Sequence, residues 1–151
     1  MAELRAADDE DIRAIVALER AAFGDDAWSL ALVDAELIQG SAAVVDADGQ
    51  VLGWVAVRGD DPADLTRIAV HPDARRRGLG RALLAEAVEL ARTTGADRML
   101  LEVAATNGPA IQLYRAAGFV EISRRRGYYR PGVDAVVMEL APLGGRATLD
   151  A

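Results

Sequence analysis

The sequence contains no cysteine, no lysine and a single histidine among its 151 residues. Without cysteine the chain can form no disulfide, no thiolate nucleophile and no cysteine-based zinc site. With His71 as the only histidine, neither a histidine-rich metal site nor a Ser-His-Asp triad is expected. We therefore expect a protein that uses no metal and forms no covalent enzyme intermediate.

Long apolar runs are also missing. No stretch approaches the roughly 20 apolar residues that a helix needs to cross a bilayer, and the amino terminus carries no signal pattern. The net charge is −7, whereas nucleic-acid binders are usually basic. These absences predict a cytoplasmic protein with no membrane and no nucleic-acid partner. The acidic charge suits a cationic partner, such as an amine or a basic polypeptide.

The length suits one domain with a sizeable core, which we place at residues 1–140. The remaining residues, 141–151, include Pro142, Gly144 and Gly145 and show no apolar periodicity. A flexible carboxyl-terminal tail is therefore expected there.

Apolar periodicity predicts an α+β protein with a mixed central sheet of about seven strands and four helices. The predicted order is β-α-α-β-β-β-α-β-α-β-β. A first helix ends near Ala22, and a second runs from Leu30 to Ile38 with Ser29 as its N-cap. The segment from Leu65 to Val103 is the predicted parallel crossover, and residues 125–132 are the predicted long loop of a final hairpin.

A glycine-rich loop between a strand and a helix is the most informative stretch. Ile68 and Val70 alternate as in a strand, and apolar residues recur at helical spacing from about Arg81 onward. The first amides of a helix lack helical partners and carry partial positive charge. Gly78 and Gly80 have no Cβ, so phosphate oxygens can come close to the backbone. The pattern therefore predicts an anion site.

The residues of this loop exclude two familiar phosphate loops. A Walker loop requires Gly-Lys-Ser/Thr, and the dinucleotide fingerprint requires a third glycine where Leu83 stands. The remaining pattern, Arg75-x-x-Gly78-x-Gly80, resembles the pyrophosphate loop for coenzyme A in the GNAT family of N-acetyltransferases. An arginine-rich solvated turn is the alternative. The order of elements is also similar to that family's fold, in which the fourth and fifth strands splay apart around the acyl chain.

This resemblance implies acetyl-coenzyme A as co-substrate. Main-chain groups of the preceding strand would bind the pantetheine as an added strand would, and the loop would bind the pyrophosphate. The implied cofactor-binding residues are Ile68, Ala69, Val70, Arg75, Arg76, Arg77, Gly78, Leu79, Gly80, Arg81 and Asn107. For Asn107 the alternative is that it only caps the following helix.

Two side chains suit acid–base chemistry on an amine. Glu102 lies in the apolar strand Met99–Val103, where burying an unpaired carboxylate is costly, so we expect it to face a wet cleft as a general base. The alternative is an ion pair with an arginine such as Arg67. The Tyr114 hydroxyl can protonate a thiolate, and its alternative is a core position with a satisfied hydroxyl.

A set of motifs follows in the carboxyl-terminal half: Leu101-Glu102-Val103, Asn107, Leu113-Tyr114, Gly118-Phe119 and Arg125-Arg126-x-Tyr128-Tyr129. These motifs are similar to those of the RimI-type alanine N-acetyltransferases of bacterial ribosomal proteins. The resemblance implies that Glu102 is the general base and Tyr114 the general acid.

The Arg125-Arg126-x-Tyr128-Tyr129 element is the most discriminating of these motifs, because small-molecule acetyltransferases generally lack it. Paired aromatic side chains can wall a narrow channel for a peptide amino terminus. We expect Tyr128, Tyr129, Phe23 and Trp28 to bind the substrate. The alternative is that these aromatics cover a sheet edge. Gly127 inside the element departs from the family and leaves the peptide preference open.

These inferences predict an acetyl-coenzyme A-dependent N-terminal acetyltransferase. Its expected partner is a protein amino terminus, the alanine of a small-subunit ribosomal protein, whose amine attacks the thioester directly. The alternatives are an acetyltransferase for a small amine or a lysine side chain, a coenzyme A-binding module without turnover, and a purely structural partner protein.

Overall fold

The structure, a computed structural model, describes residues 2–144 and contains four α-helices and seven strands in the predicted order. The helices are α1 (Ile12–Phe23), α2 (Leu30–Gln39), α3 (Leu79–Thr93) and α4 (Gly108–Ala116). The strands are β1 (Ala2–Ala6), β2 (Ser41–Ala47), β3 (Gln50–Arg58), β4 (Ala63–Val70), β5 (Met99–Ala104), β6 (Val120–Arg130) and β7 (Val133–Leu140).

The strands form one mixed sheet in the order β1-β2-β3-β4-β5-β7-β6. β4 and β5 pair in parallel, with Ala63 opposite Met99 and Asp64 opposite Leu100. The β1–β2, β2–β3, β5–β7 and β6–β7 pairs are antiparallel. The mixed α+β architecture and the parallel crossover through α3 are therefore confirmed.

Contacts along the chain divide it into two compact units. The first unit ends at Gly59 and resumes over Leu65–Leu90, and the second comprises Asp60–Asp64 and the described residues from Ala91 onward. A single acetyltransferase domain over residues 1–140 stays a prediction. Of the predicted tail, Leu143 is buried and its N–H donates to the Asp97 carbonyl at 2.7 Å, whereas residues 145–151 lie outside the described part of the chain.

The core of the first unit lies between α1, α2 and the strands β2 and β3. α1 buries Ile15, Val16 and Leu18, whose helical spacing places them on one apolar face. α2 begins after Ser29, whose hydroxyl accepts the Leu32 N–H at 3.3 Å. The predicted cap is therefore confirmed, and it fixes where the link after α1 ends.

In the second unit β5 buries alternate residues, and the final hairpin differs from the prediction. Met99, Leu101 and Val103 are buried, as the period of two requires. The predicted loop over residues 125–132 is wrong, because β6 continues to Arg130. Gly127 has φ +60° and its N–H donates to Asp134 Oδ1 at 3.0 Å. The Asp134 side chain thus takes the place of a backbone hydrogen-bond partner, and β6 continues through this irregular pairing with β7.

A cluster of charges joins the first strand to the start of α1. Arg5 donates to both carboxylate oxygens of Asp11, at 2.8 and 2.9 Å, and to Asp46 at 3.1 Å. The hydrogen bonds from Arg5 are the main reason that the pKa of Asp11 lies below its ordinary value. Asp11 also accepts the Asp8 N–H at 2.9 Å, which completes a capping box.

Asp11→Asn should lower the free energy of unfolding at neutral pH by about 1–2 kcal/mol, because it removes the charged acceptor of Arg5. A lowered folded-state pKa gives stability that is present above the ordinary value of 3.8 and is lost as the pH falls through the lower folded value. Urea unfolding of wild type and variant between neutral and acidic pH should therefore show a difference that shrinks below about pH 4. Asp9→Asn, in the same turn, is the matched control, and a pH-independent difference would contradict the assignment.

Candidate active site

The loop after β4 has the backbone shape of an anion site. A 3-10 turn over Pro72–Ala74 is followed by Arg76 at φ +67° and Gly78 at φ +78°. α3 begins at Leu79, earlier than the predicted Arg81, and its first helical bond runs from the Ala82 N–H to the Gly78 carbonyl at 3.1 Å. Gly78 has no side chain to cap the first amides of α3, so these amides can bind an anionic ligand.

The charges around this loop are three adjacent arginines. Arg75, Arg76 and Arg77 are all exposed, and Arg77 Nη2 donates to the Asp73 carbonyl at 3.2 Å. Apart from its neighbours in the chain, no atom lies within 4 Å of the position that a Cβ on Gly78 would take, so the loop is open on that side. The left-handed backbone of Arg76 was not foreseen from the sequence, because arginine carries no preference for that region.

The remaining predicted cofactor-binding residues are placed as follows. Ile68 and Val70 are half-buried in β4 and Ala69 is buried, while Gly80 lies in the first turn of α3 and Arg81 is exposed there. Asn107 Oδ1 accepts the Ala110 N–H at 3.3 Å, so its role as the N-cap of α4 is confirmed. Contacts of these residues with pantetheine stay a prediction.

Glu102 lies on the face of β5 opposite its buried residues. Its side chain is 30% exposed, and Oε1 lies 3.2 Å from Arg125 Nη2 of β6. The alternative, an ion pair with an arginine, is therefore present, but the suggested partner Arg67 is wrong, because Arg67 pairs with Glu19. Asp64, opposite Leu100 across the parallel ladder, shares this face. Desolvation raises the pKa of Asp64, and the negative charge of Glu102 raises it further. The carboxylates of Glu102 and Asp64 therefore share this face of the sheet, and Glu102 also contacts the guanidinium of Arg125.

Tyr114 occupies the inner face of α4. Its side chain is 6% exposed, and its ring packs against Phe119 with centroids 6.0 Å apart and planes at 60°. The Phe119 N–H donates to the Tyr114 carbonyl at 3.0 Å, which holds the end of the helix against the next strand. The tyrosine therefore belongs to the core of the second unit, and its role as general acid stays a prediction.

Tyr128 lies on β6 beside the arginine that contacts Glu102. Its side chain is 53% exposed, and the Arg125 guanidinium lies 5.2 Å from the centre of its ring. Arg125 therefore links Glu102 to Tyr128 within the second unit. The backbone of Tyr129 continues the strand, whereas its side chain lies outside what the structure describes.

Phe23 and Trp28 come together around a residue that the sequence reasoning did not assign to the site. The guanidinium of Arg67 lies 4.0 Å from the centre of the Phe23 ring and 4.9 Å from that of Trp28. Trp28 also contacts Trp54 edge to face, with centroids 5.9 Å apart. The two aromatics are half-buried against the core of the first unit, so each has a structural contact beside any role in substrate binding.

Glu19 is the second residue that the sequence reasoning missed. It is fully buried and accepts hydrogen bonds from Arg67, from the Trp28 N–H and from Trp54 Nε1. A signal was available, because Glu19 falls one turn after Ile15 on the apolar face of α1. A carboxylate at such a position requires buried donors.

Two features bear on metals and membranes. Within residues 2–144, no group of three or more histidine, aspartate or glutamate side chains is arranged to hold a metal ion. Over the same residues, every helix is too short or too polar to span a bilayer. Catalysis without a metal stays a prediction.

Comparisons with known proteins identify the family of the chain. The model of the Acetyltransferase (GNAT) family matches residues 7–119. Over 83 residues the chain is 46% identical to the ribosomal protein bS18-alanine N-acetyltransferase of Salmonella typhimurium, covering 53% of this chain and 56% of that protein. Over 114 residues it is 34% identical to an N-alpha-acetyltransferase of Sulfurisphaera tokodaii, covering 66% and 68%.

Similarity extends further along the chain in three dimensions. The crystal structure of the ribosomal-protein-S18-alanine N-acetyltransferase from Escherichia coli matches with a TM-score of 0.86 and 30% identity, over 94% of both chains. The sequence alignment to the Salmonella relative, by contrast, spans about half of that protein's length.

Proposed function

The chain belongs to the GNAT acetyltransferase family, and on this premise we propose that it transfers an acetyl group from acetyl-coenzyme A to the amino terminus of a protein. The proposed substrate is the alanine of a small-subunit ribosomal protein, which places the activity in the cytoplasm. The observation that supports this most is the contact of Arg125 with both Glu102 and Tyr128. The arginine-tyrosine element of protein acetyltransferases thereby adjoins the proposed base.

The loop before α3 fits the diphosphate of the coenzyme. Its uncapped amides, the open space beside Gly78 and the exposed Arg75–Arg77 supply the donors and charge that a diphosphate needs. Bound acetyl-coenzyme A supplies the acetyl group as a thioester, which the substrate amine attacks directly.

The side chains of the second unit supply the proton transfers in this proposal. The Glu102 carboxylate, directly or through a water molecule, accepts a proton from the substrate ammonium so that the amine is nucleophilic. The Tyr114 hydroxyl donates a proton to the departing sulfur. Tyr128, Tyr129, Phe23 and Trp28 orient the peptide. Main-chain amides near Ile68–Val70 stabilise negative charge on the carbonyl oxygen.

Gly78→Ala should weaken coenzyme A binding about tenfold, because the left-handed backbone at φ +78° costs an L-residue about 1–2 kcal/mol and the loop would favour conformations that do not present the first amides of α3. Isothermal titration with coenzyme A measures the loss. The matched variant is Arg76→Gly, which relieves the same kind of strain at φ +67° and should weaken binding only a few-fold by removing one charge. Unchanged binding by Gly78→Ala would remove this loop as the diphosphate site.

The substrate class is tested with three amines in parallel. They are an alanine-initiated peptide, the same peptide with a blocked amino terminus and one lysine, and a polyamine. Because the enzyme itself has no lysine, any acetyl-lysine formed comes from the added substrate. The proposal predicts acetylation of the free α-amine. Preference for the polyamine or the lysine would reject the substrate, and coenzyme binding without transfer to any amine would indicate a sensing module.

A further inference from the structure

Glu19 of α1 and Arg67 of β4 form a buried ion pair in the first unit. The shortest contact joins Arg67 Nη2 to Glu19 Oε1 at 2.6 Å, and Arg67 Nε lies 3.0 Å from Oε2. Glu19 is 0% exposed, and the Trp54 indole N–H also donates to it, at 2.8 Å. Both carboxylate oxygens are therefore satisfied by fixed donors, as a buried charge requires.

The other contacts of this pair converge on the link between α1 and α2, residues 24–29, and on Phe23 just before it. Glu19 Oε1 accepts the Trp28 N–H at 2.9 Å, and Arg67 Nη2 donates to the Asp26 carbonyl at 3.2 Å. The Arg67 guanidinium also lies against the rings of Phe23 and Trp28. Glu19 and Arg67 thus contact both the main chain and the aromatic side chains of this segment from one side.

Apart from these contacts and the packing of Trp28 on Trp54, the link has little regular structure. It contains one 3-10 turn, Gly24–Asp26, without a side-chain cap, and Gly24 at its start has φ +57°. Gly24, Asp25 and Asp26 are exposed. A segment of this kind takes its shape from its tertiary contacts. Charge-assisted hydrogen bonds are directional, so they define a position more closely than apolar packing does.

A role in stability alone accounts poorly for this arrangement. Replacing a buried ion pair by apolar residues of similar volume is often neutral or stabilising, so the pair is not required to fill the core. What the pair adds is the alignment of Trp28, Asp26 and the Phe23 ring. Two of these, Phe23 and Trp28, are aromatic side chains to which the proposed function assigns the peptide.

We propose that Glu19 and Arg67 are positioning residues that hold the α1–α2 link in the conformation that binds the substrate peptide, acting through Phe23 and Trp28. This inference rests on the proposed function, because that function assigns the peptide to the link. It adds that peptide affinity depends on this buried ion pair, which acts through the link.

The test compares Arg67→Met with a matched control in the same unit. Arg58 pairs with Glu36 at 2.6 Å, and Glu36 also accepts the Thr66 hydroxyl at 2.9 Å, so Arg58→Met breaks a similar ion pair away from the link. We expect Arg67→Met to raise the KM for an alanine-initiated peptide about tenfold or more, with the KM for acetyl-coenzyme A unchanged within about twofold. Arg58→Met should leave both KM values near those of wild type.

Two further variants separate positioning from folding. Arg67→Lys keeps the charge but not the planar fork, so it should recover only part of the peptide affinity. Glu19→Gln combined with Arg67→Met leaves no unpaired charge and keeps an acceptor for Trp54, so it should fold. A peptide KM that stays raised in this folded double variant supports positioning. Return of the KM to the wild-type value would overturn the inference, since the pair would then serve stability alone.

Tryptophan fluorescence supplies a readout that does not depend on activity. Trp28 and Trp54 are the only tryptophans of the chain, and both contact this cluster. Arg67→Met should red-shift the emission and increase quenching by acrylamide, whereas Arg58→Met should not. If wild type acetylated no peptide, the proposed function would fail, and fluorescence would still decide whether the pair holds the link. Unchanged fluorescence and peptide KM in Arg67→Met would reject the inference while wild type remained active.

Discussion

Glu102→Gln is expected to lower kcat for peptide acetylation by about 10²–10⁴-fold, the usual contribution of a general base. The amide has nearly the same shape as the carboxylate, and its oxygen can still accept from Arg125 Nη2, 3.2 Å away in the wild type. It has no capacity to take a proton from an ammonium group. Steady-state kinetics with saturating peptide and acetyl-coenzyme A measure the loss, and isothermal titration should give coenzyme A affinity within about twofold of wild type.

The control for this variant is the neighbouring carboxylate. Asp64 lies on the paired strand and shares the face of Glu102, and desolvation followed by the charge of Glu102 raises its pKa. Asp64→Asn removes a charge of the same sign from the same place, so it separates an electrostatic effect from loss of the base. A few-fold change is expected. Activity of Glu102→Gln close to that of wild type, or an equal loss in both variants, would exclude Glu102 as the specific base.

Phe119→Ala is expected to lower the free energy of unfolding by about 3–5 kcal/mol, because it removes a large buried ring and leaves a cavity. Phe119 is 1% exposed, and its ring packs on Tyr114 at 6.0 Å between centroids. Urea unfolding followed by circular dichroism measures the change. Phe119→Leu, which keeps most of the volume, should cost less than about 1.5 kcal/mol. Equal and small losses in both variants would mean that this ring contributes little to the core of the second unit.

Elements with their own local signal were predictable. The period of two in β5 places Met99, Leu101 and Val103 inside and Glu102 on the other face, and the structure has this arrangement. Ser29 marked the start of α2 by its ability to cap amides. The order of strands and helices followed from such signals together with short connections. The glycine loop was located in the same way, because Gly78 is the kind of residue that a left-handed backbone before a helix favours.

Side-chain pairing between distant elements was not predictable from the same signals. Arg67 was suggested as a partner for Glu102, yet it pairs with Glu19, 48 positions away along the chain. Which carboxylate an arginine meets depends on how a helix packs on the sheet, and periodicity does not report that. The extent of β6 was missed for a similar reason. The Gly127 N–H is satisfied by the Asp134 side chain, so a stretch rich in turn residues continues as strand.

The most direct test of the central claim is mass spectrometry of the ribosomal proteins from cells with and without this gene. The account predicts that one small-subunit protein that begins with alanine loses its α-amino acetyl group when the gene is absent. The wild-type gene should restore that group, and a gene carrying Glu102→Gln should not. Unchanged amino-terminal acetylation of every ribosomal protein in the deletion strain would contradict the account.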